Sequence, residues 1–211
     1  MRLDHFMYAM PSLAAGMDYF ESLLGVRPVF GGAHEGGGTC NALVSLGDCY
    51  LEIIAPDPKQ NLSGTLGEKL AALESGGLAT WAAEADLKKT KEAFVALEIE
   101  CFGPFPVRRG QPDGPELEWE ILFPQPGYIG IPFFIDWMEC VNPSETAPHA
   151  GQVREFTISS PESDQIDVIF RNLGLSTTVK SGMPNQRLVI DSPNGVVELE
   201  STEQSSSVIT N

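Results

Sequence analysis

The chain reads as an α+β protein of repeated β-α-β-β-β modules. Two of them pair into an open, barrel-like sheet around a cleft, and a third is left as a half-module. Three observations predict this. Residues 1–56 hold a β-rich run, an amphipathic helical stripe and three further strands. The same order returns, more diverged, at 76–140 and again at 150–202. Polar or ionisable residues also recur at matching places in the first and last strands of each copy. One such module has a helix on only one face of its sheet, so its other apolar face must be covered by a partner.

In the first module, Leu3 to Met10 is a strand that ends at Pro11. Ser12 can cap a helix, and Leu13, Met17, Phe20 and Leu24 then place one apolar stripe along it. Gly25 suits the left-handed residue that closes such a helix. Val26 to Phe30 reads as a strand running into a glycine cluster around His34. Phosphate binding would need a helix directly after that cluster, but the strand Asn41–Leu46 follows instead. The cluster is therefore expected to be a flexible lip carrying an exposed His34. Gly47-Asp48 makes a turn into Cys49–Ala55, where Tyr50, Glu52 and Ile54 share one face and Leu51 and Ile53 the other. His5 and Glu52 interrupt apolar strands, so each needs a partner or a purpose. A cross-strand donor would satisfy Glu52, but a metal or a titrating role is the reading favoured for an inward carboxylate with no nearby sequence partner.

Leu66 to Leu73 is a short connecting helix. In the second module Leu78–Ala83 is a strand, Asp86 a helix cap, and Leu87, Phe94 and Leu97 a helical stripe. Strands follow around Glu100–Val107, Leu117–Phe123 and Pro132–Met138, so that Thr80 falls on His5 and Asp136 on Glu52. Trp81 and Trp137, beside these positions, are expected in the core on the helix side, whereas Trp119 can line a pocket. Arg109 and Asp113 flank a turn, and can form either a surface ion pair or, through Arg109, a clamp for a substrate carboxylate. In the third copy Glu155 falls on His5 and Glu198 on Glu52. The polar residues 203–211 are expected to be a disordered tail.

Composition excludes several functions. The net charge of −16 and pI near 4.4 disfavour nucleic acid and anionic membrane surfaces as partners. No apolar run reaches the roughly 20 residues of a spanning helix, and no signal-peptide pattern opens the chain. Four cysteines without C-x-x-C spacing read as reduced thiols of a cytoplasmic protein rather than a zinc or redox site. No nucleophile-elbow motif supports a Ser-His-Asp arrangement.

The stretches LDHFMYAMPSL, Gly32 to Asn41, YLEIIAPDP, Arg108 to Gly114 and Pro132 to Trp137 resemble the vicinal-oxygen-chelate superfamily, which includes glyoxalase I, bleomycin-resistance proteins and extradiol dioxygenases. The glyoxalase-like domain proteins look most similar, over roughly 3–140. The resemblance implies a divalent ion (Mn, Mg, Fe, Ni or Zn) held by four inward residues. His5 and Glu52 match two of these positions. The other two would be Thr80 and Asp136 of the second module, of which Thr is a poor ligand, or Glu155 and Glu198 of the third. Where the subgroup often has a His between the residues matched by Thr39 and Asn41, this chain has Cys40. Three functions follow as expectations. The first is a metal-assisted lyase, isomerase or dioxygenase in which Glu52 or Asp136 moves a proton. The second is a metal-free, ligand-sequestering protein. The third is a metal-independent enzyme with His5 and Glu52 as an acid–base pair. Candidate substrate contacts are His34, Thr39, Asn41, Arg109 and Trp119. The third module would be an appendage, or would pair with its copy in a homodimer.

Overall fold

The computed structural model describes residues 1–111, 114–125 and 130–210. The first module consists of β1 (Arg2–Ala9), α1 (Leu13–Leu24), β2 (Val29–His34), β3 (Thr39–Ser45) and β4 (Tyr50–Pro56). Helix α2 (Leu66–Ala71) leads to the second: β5 (Gly77–Glu84), α3 (Leu87–Ala96), β6 (Cys101–Gln111), β7 (Gly114–Pro124) and β8 (Phe133–Asp136). After α4 (Pro143–Thr146) come β9 (Gln152–Ser160), α5 (Ser163–Leu173), β10 (Thr178–Ser181), β11 (Asn185–Ser192), β12 (Gly195–Glu200) and α6 (Glu203–Thr210). Local signals set the helix ends. Ser12 and Asp86 accept backbone N–H groups at the starts of α1 and α3, and Gly25 closes α1 at φ 78°.

The first two modules have the same wiring. In each, the first strand pairs in parallel with the last, β1 with β4 and β5 with β8. Antiparallel pairing of β1 with β5 joins them into one sheet ordered β2-β3-β4-β1-β5-β8-β7-β6. The sheet curls until its edge strands, β2 and β6, approach one another.

Strand alternation divides the buried residues between two cores. Phe6, Tyr8, Leu51, Ile53, Trp81 and Phe134 lie on the outer face against α1 and α3. Met7, Tyr50, Ile54, Trp119, Ile135 and Trp137 lie on the inner face, where Leu70 of α2 and Val208 of α6 join them. Trp81 thus packs on the helix side as expected, whereas Trp137 packs in the inner core, facing the interior of the half-barrel.

The third segment repeats the order of elements but not their pairing. Its sheet runs β10-β9-β11-β12, so β9 and β12 are not neighbours as β1 and β4 are. Its apolar side is buried within the chain, against the outer face of the large sheet. There Phe156 meets Phe6 and Trp81 edge-on, with ring centroids 4.7 and 5.4 Å apart. The uncovered face that suggested pairing with a second copy is therefore already covered.

The expected disordered tail is instead helix α6. Thr202 and Ser205 form a reciprocal capping box, each hydroxyl accepting the other's backbone N–H, and Ser205 Oγ also donates to Leu78 O at 2.7 Å. Burial of Val208 anchors the helix further along. Among the described residues, no helix is long and apolar enough to cross a membrane.

Candidate functional site

The half-barrel encloses a cavity of about 240 Å³. His5, Tyr50, Glu52, Asn41, Thr39 and His34 line one wall. Facing them are Thr80, Arg109, Trp119, Phe133, Ile135 and Trp137, with Leu66 of α2 and Ile209 of α6 at the side. All five proposed substrate contacts, His34, Thr39, Asn41, Arg109 and Trp119, thus meet around His5 and Glu52.

The polar groups form two hydrogen-bonded sets that face each other, Asp4 with His5 and Glu52 with Asn41 and Arg109. Asp4 and His5 are both buried, and Asp4 Oδ1 lies 2.6 Å from His5 Nδ1. The other Asp4 oxygen accepts from Trp137 Nε1 at 2.8 Å and Asn142 Nδ2 at 2.7 Å. With Asp4 accepting throughout, His5 carries its proton on Nδ1 and turns Nε2 toward Glu52 Oε2, 3.5 Å away. Tyr50 stacks on the imidazole at 4.6 Å and 20°, which fixes the ring plane. Burial pushes the Tyr50 phenol well above its usual pKa of 10.

The other Glu52 oxygen accepts from Asn41 Nδ2 at 2.6 Å, while Asn41 Oδ1 accepts from Arg109 Nη1 at 3.2 Å. Asn41 therefore holds carboxylate and guanidinium apart. Far from being an exposed loop residue, His34 ends β2 with its ring largely covered. Its Nδ1 lies 2.9 Å from Thr39 Oγ1, and its Nε2 faces the donor Asn41 Nδ2 at 3.3 Å. Burial lowers its pKa from 6.5, and that effect outweighs the opposing attraction of Glu52. It is consequently a neutral imidazole near pH 7, protonated on Nδ1.

Three expected residues lie elsewhere. Asp136 projects away from the cavity between Ile135 and Trp137, and its Oδ1 accepts from Met138 N at 2.9 Å. An offset of one residue in matching the two modules reverses the face, and the inward positions of that strand are apolar. Glu155 and Glu198 sit on the second sheet, half-exposed, and both pair with Arg187. The different wiring of that sheet keeps them from the cavity. Asp113 lies outside the described residues.

Conversely, the sequence reading overlooked Asp4, Asn142 and the inward orientation of Trp137. Asp4 did leave a signal, as a second polar residue beside His5 in an otherwise apolar strand.

A four-ligand metal centre does not fit this donor set. His5 and Glu52 are in place, but the opposite strands offer Thr80, Phe133, Ile135 and Trp137, none of them a good ligand. Among the described residues, no group of three or more His, Cys, Asp or Glu is arranged to hold a metal ion. No cysteine is among the residues lining this cavity, and burial raises the Cys40 and Cys49 thiols to about 11 and about 12.

Comparison with known proteins shows the family and the fold. A family model described as a glyoxalase-like domain matches residues 3–174. A hypothetical protein from Staphylococcus aureus superposes at TM-score 0.66 with 16% identity, over 96% of this chain and 86% of that one. A methylmalonyl-CoA epimerase in complex with methylmalonyl-CoA gives TM-score 0.52 with 18% identity, over 65% of this chain and 95% of that one. A variant of the Streptomyces coelicolor epimerase, in complex with 2-nitronate-propionyl-CoA, gives 0.52 and 18% over 66% and 96%. At these identities the shared property is the fold. No curated protein matches the chain significantly.

Proposed function

The chain belongs to the glyoxalase-like domain family, within the vicinal-oxygen-chelate superfamily, and from that premise we propose that it is a small-molecule enzyme that catalyses proton transfer. The observation that carries this reading is the buried Asp4–His5 pair turned toward Glu52 on the wall of a small cavity. In this reading Glu52 takes a proton from a substrate carbon beside a carbonyl group. The freed electron pair moves onto the carbonyl oxygen. His5, oriented by Asp4, acts at Nε2 as the second acid–base group, and Asp4 stabilises the imidazolium whenever the ring is doubly protonated. Return of the proton to the same or a neighbouring atom gives an isomerisation, with no net oxidation. Because the donor set does not fit a four-ligand centre, no step is assigned to a metal.

Solvent exchange tests this. The protein is incubated in D₂O with a panel of small 2-oxo and 2-hydroxy-carbonyl compounds, and deuterium entry at the adjacent carbon is followed by NMR. The expected result is exchange by the wild type and a loss of about 100-fold or more with Glu52→Gln. Saturable binding without exchange would instead favour a ligand-sequestering protein. The apolar far wall and the Thr80 position are the observations that support that alternative.

A further inference from the structure

We propose that the cavity selects ligands bearing a single carboxylate, and that Arg109 is its receptor. The assignment deepens the preceding reading by naming a substrate class for the same cavity, but it rests on different atoms. Arg109 has only 5% of its surface exposed, and a guanidinium does not lose its proton near neutral pH. A buried fixed charge needs a counter-charge or a full set of acceptors. Here it has neither. Its Nη1 reaches Asn41 Oδ1 at 3.2 Å, its Nε is buried with no partner, and among the described residues no carboxylate lies within ion-pair distance.

The obvious counter-charge, Glu52, is close but is diverted. Asn41 interposes its amide, donating to Glu52 and accepting from Arg109, so that neither charge neutralises the other. The guanidinium carbon lies 5.9 Å from the centroid of the Trp119 ring, within reach of its π face. The guanidinium donors that Asn41 leaves unpaired match the oxygens of a carboxylate.

The setting selects further. One positive charge beside Glu52, with no lysine among the lining residues, suits a monoanion better than a phosphate dianion. A cavity of about 240 Å³ suits a small molecule. Phe123, Phe133 and Ile135 offer an apolar surface for the rest of such a molecule. A small 2-oxo acid clamped on Arg109 would present its neighbouring C–H toward Glu52.

Trp119 beneath the guanidinium makes fluorescence a direct reporter. Wild-type protein and Glu52→Gln are titrated with 2-oxobutyrate and benzoate, with the corresponding neutral amides, and with inorganic phosphate. Expected are saturable responses to the carboxylates in both proteins, at least about tenfold weaker binding of the amides, and a similar loss with Arg109→Gln. Arg109→Lys is expected to fall between, having charge without the fork. If Arg109→Gln does not fold, the acid–amide comparison in the wild type decides alone. Equal affinity for acid and amide, no saturable response to either acid, or phosphate binding tighter than both would overturn the proposal. Carboxylate binding without deuterium exchange would remove the enzymatic reading and leave this one standing.

Discussion

Asp4 and His5 are consecutive residues of one strand, yet their side chains meet at 2.6 Å. In a regular strand they would point to opposite faces. The pairing of β1 with β5 explains the contact. Leu3 faces Ala83 and His5 faces Ala82, so Asp4 is the extra residue of a β-bulge. Bulges re-aim side chains beside active sites, and this one turns a carboxylate toward the histidine next to it.

Asp4→Asn should therefore disturb both stability and chemistry. The amide presents an N–H₂ toward donors that all require an acceptor: His5 Nδ1, Trp137 Nε1 or Asn142 Nδ2. A cost of about 1–3 kcal/mol is expected in urea unfolding. Nitrogen-15 spectra of the folded variant should show the His5 tautomer redistributed away from Nδ1–H. An unchanged tautomer would mean that Asp4 is merely structural.

His34 gives the fold a pH signature. Burial holds its pKa below 6.5, so unfolding takes up a proton. Its contribution is neutral well above 6.5 and increasingly destabilising as pH falls below that value toward the folded-state pKa. Replacing it by Gln removes the titration. Melting temperatures measured from pH 7.5 to 5 should fall less steeply for His34→Gln than for the wild type. Parallel curves would contradict the assigned neutral imidazole.

The sequence exposed the paired modules because two features are local. Stripes such as Leu13, Met17, Phe20 and Leu24 mark helices, and alternation placed Tyr50, Glu52 and Ile54 on one face. What stayed hidden depends on pairing. Phe133–Asp136 is too short and too apolar to show which residues face inward, and matching it to the first module is ambiguous by one position. The wiring of the third sheet is a tertiary property that no element order specifies. In 203–210, polar composition masked a capping box whose two members, Thr202 and Ser205, were legible at the right spacing.

Docking of the third segment on the outer face can be tested away from the cavity. Phe156 is 8% exposed and packs against Phe6 and Trp81, so Phe156→Ala should cost about 3–5 kcal/mol. Because Trp81 and the cavity lie on opposite faces of the large sheet, ligand titrations through Trp119 should be unchanged in the variant while it remains folded. A shift in affinity would show that the back of the sheet sets the shape of the cavity.

Gly32 is where the two sheet edges meet, and its backbone has φ 147°. A Cβ there would sit 2.4 Å from Gly110 O and 2.8 Å from Arg109 Cγ, both on the opposite edge strand. Part of the conflict is with backbone, which cannot rotate aside, and the conformation itself is one that residues with a Cβ avoid. Gly32→Ala must therefore push β2 from β6 or move Arg109 along the wall. Strain of this kind costs about 1–3 kcal/mol, so the variant should fold but melt earlier. Where Arg109 gives way rather than β2, carboxylate binding should weaken while the affinity for neutral amides stays near the wild-type value. Equal weakening of both classes would place the damage in the cavity as a whole. An unaltered melting temperature would show that the edges are further apart in solution than these contacts require.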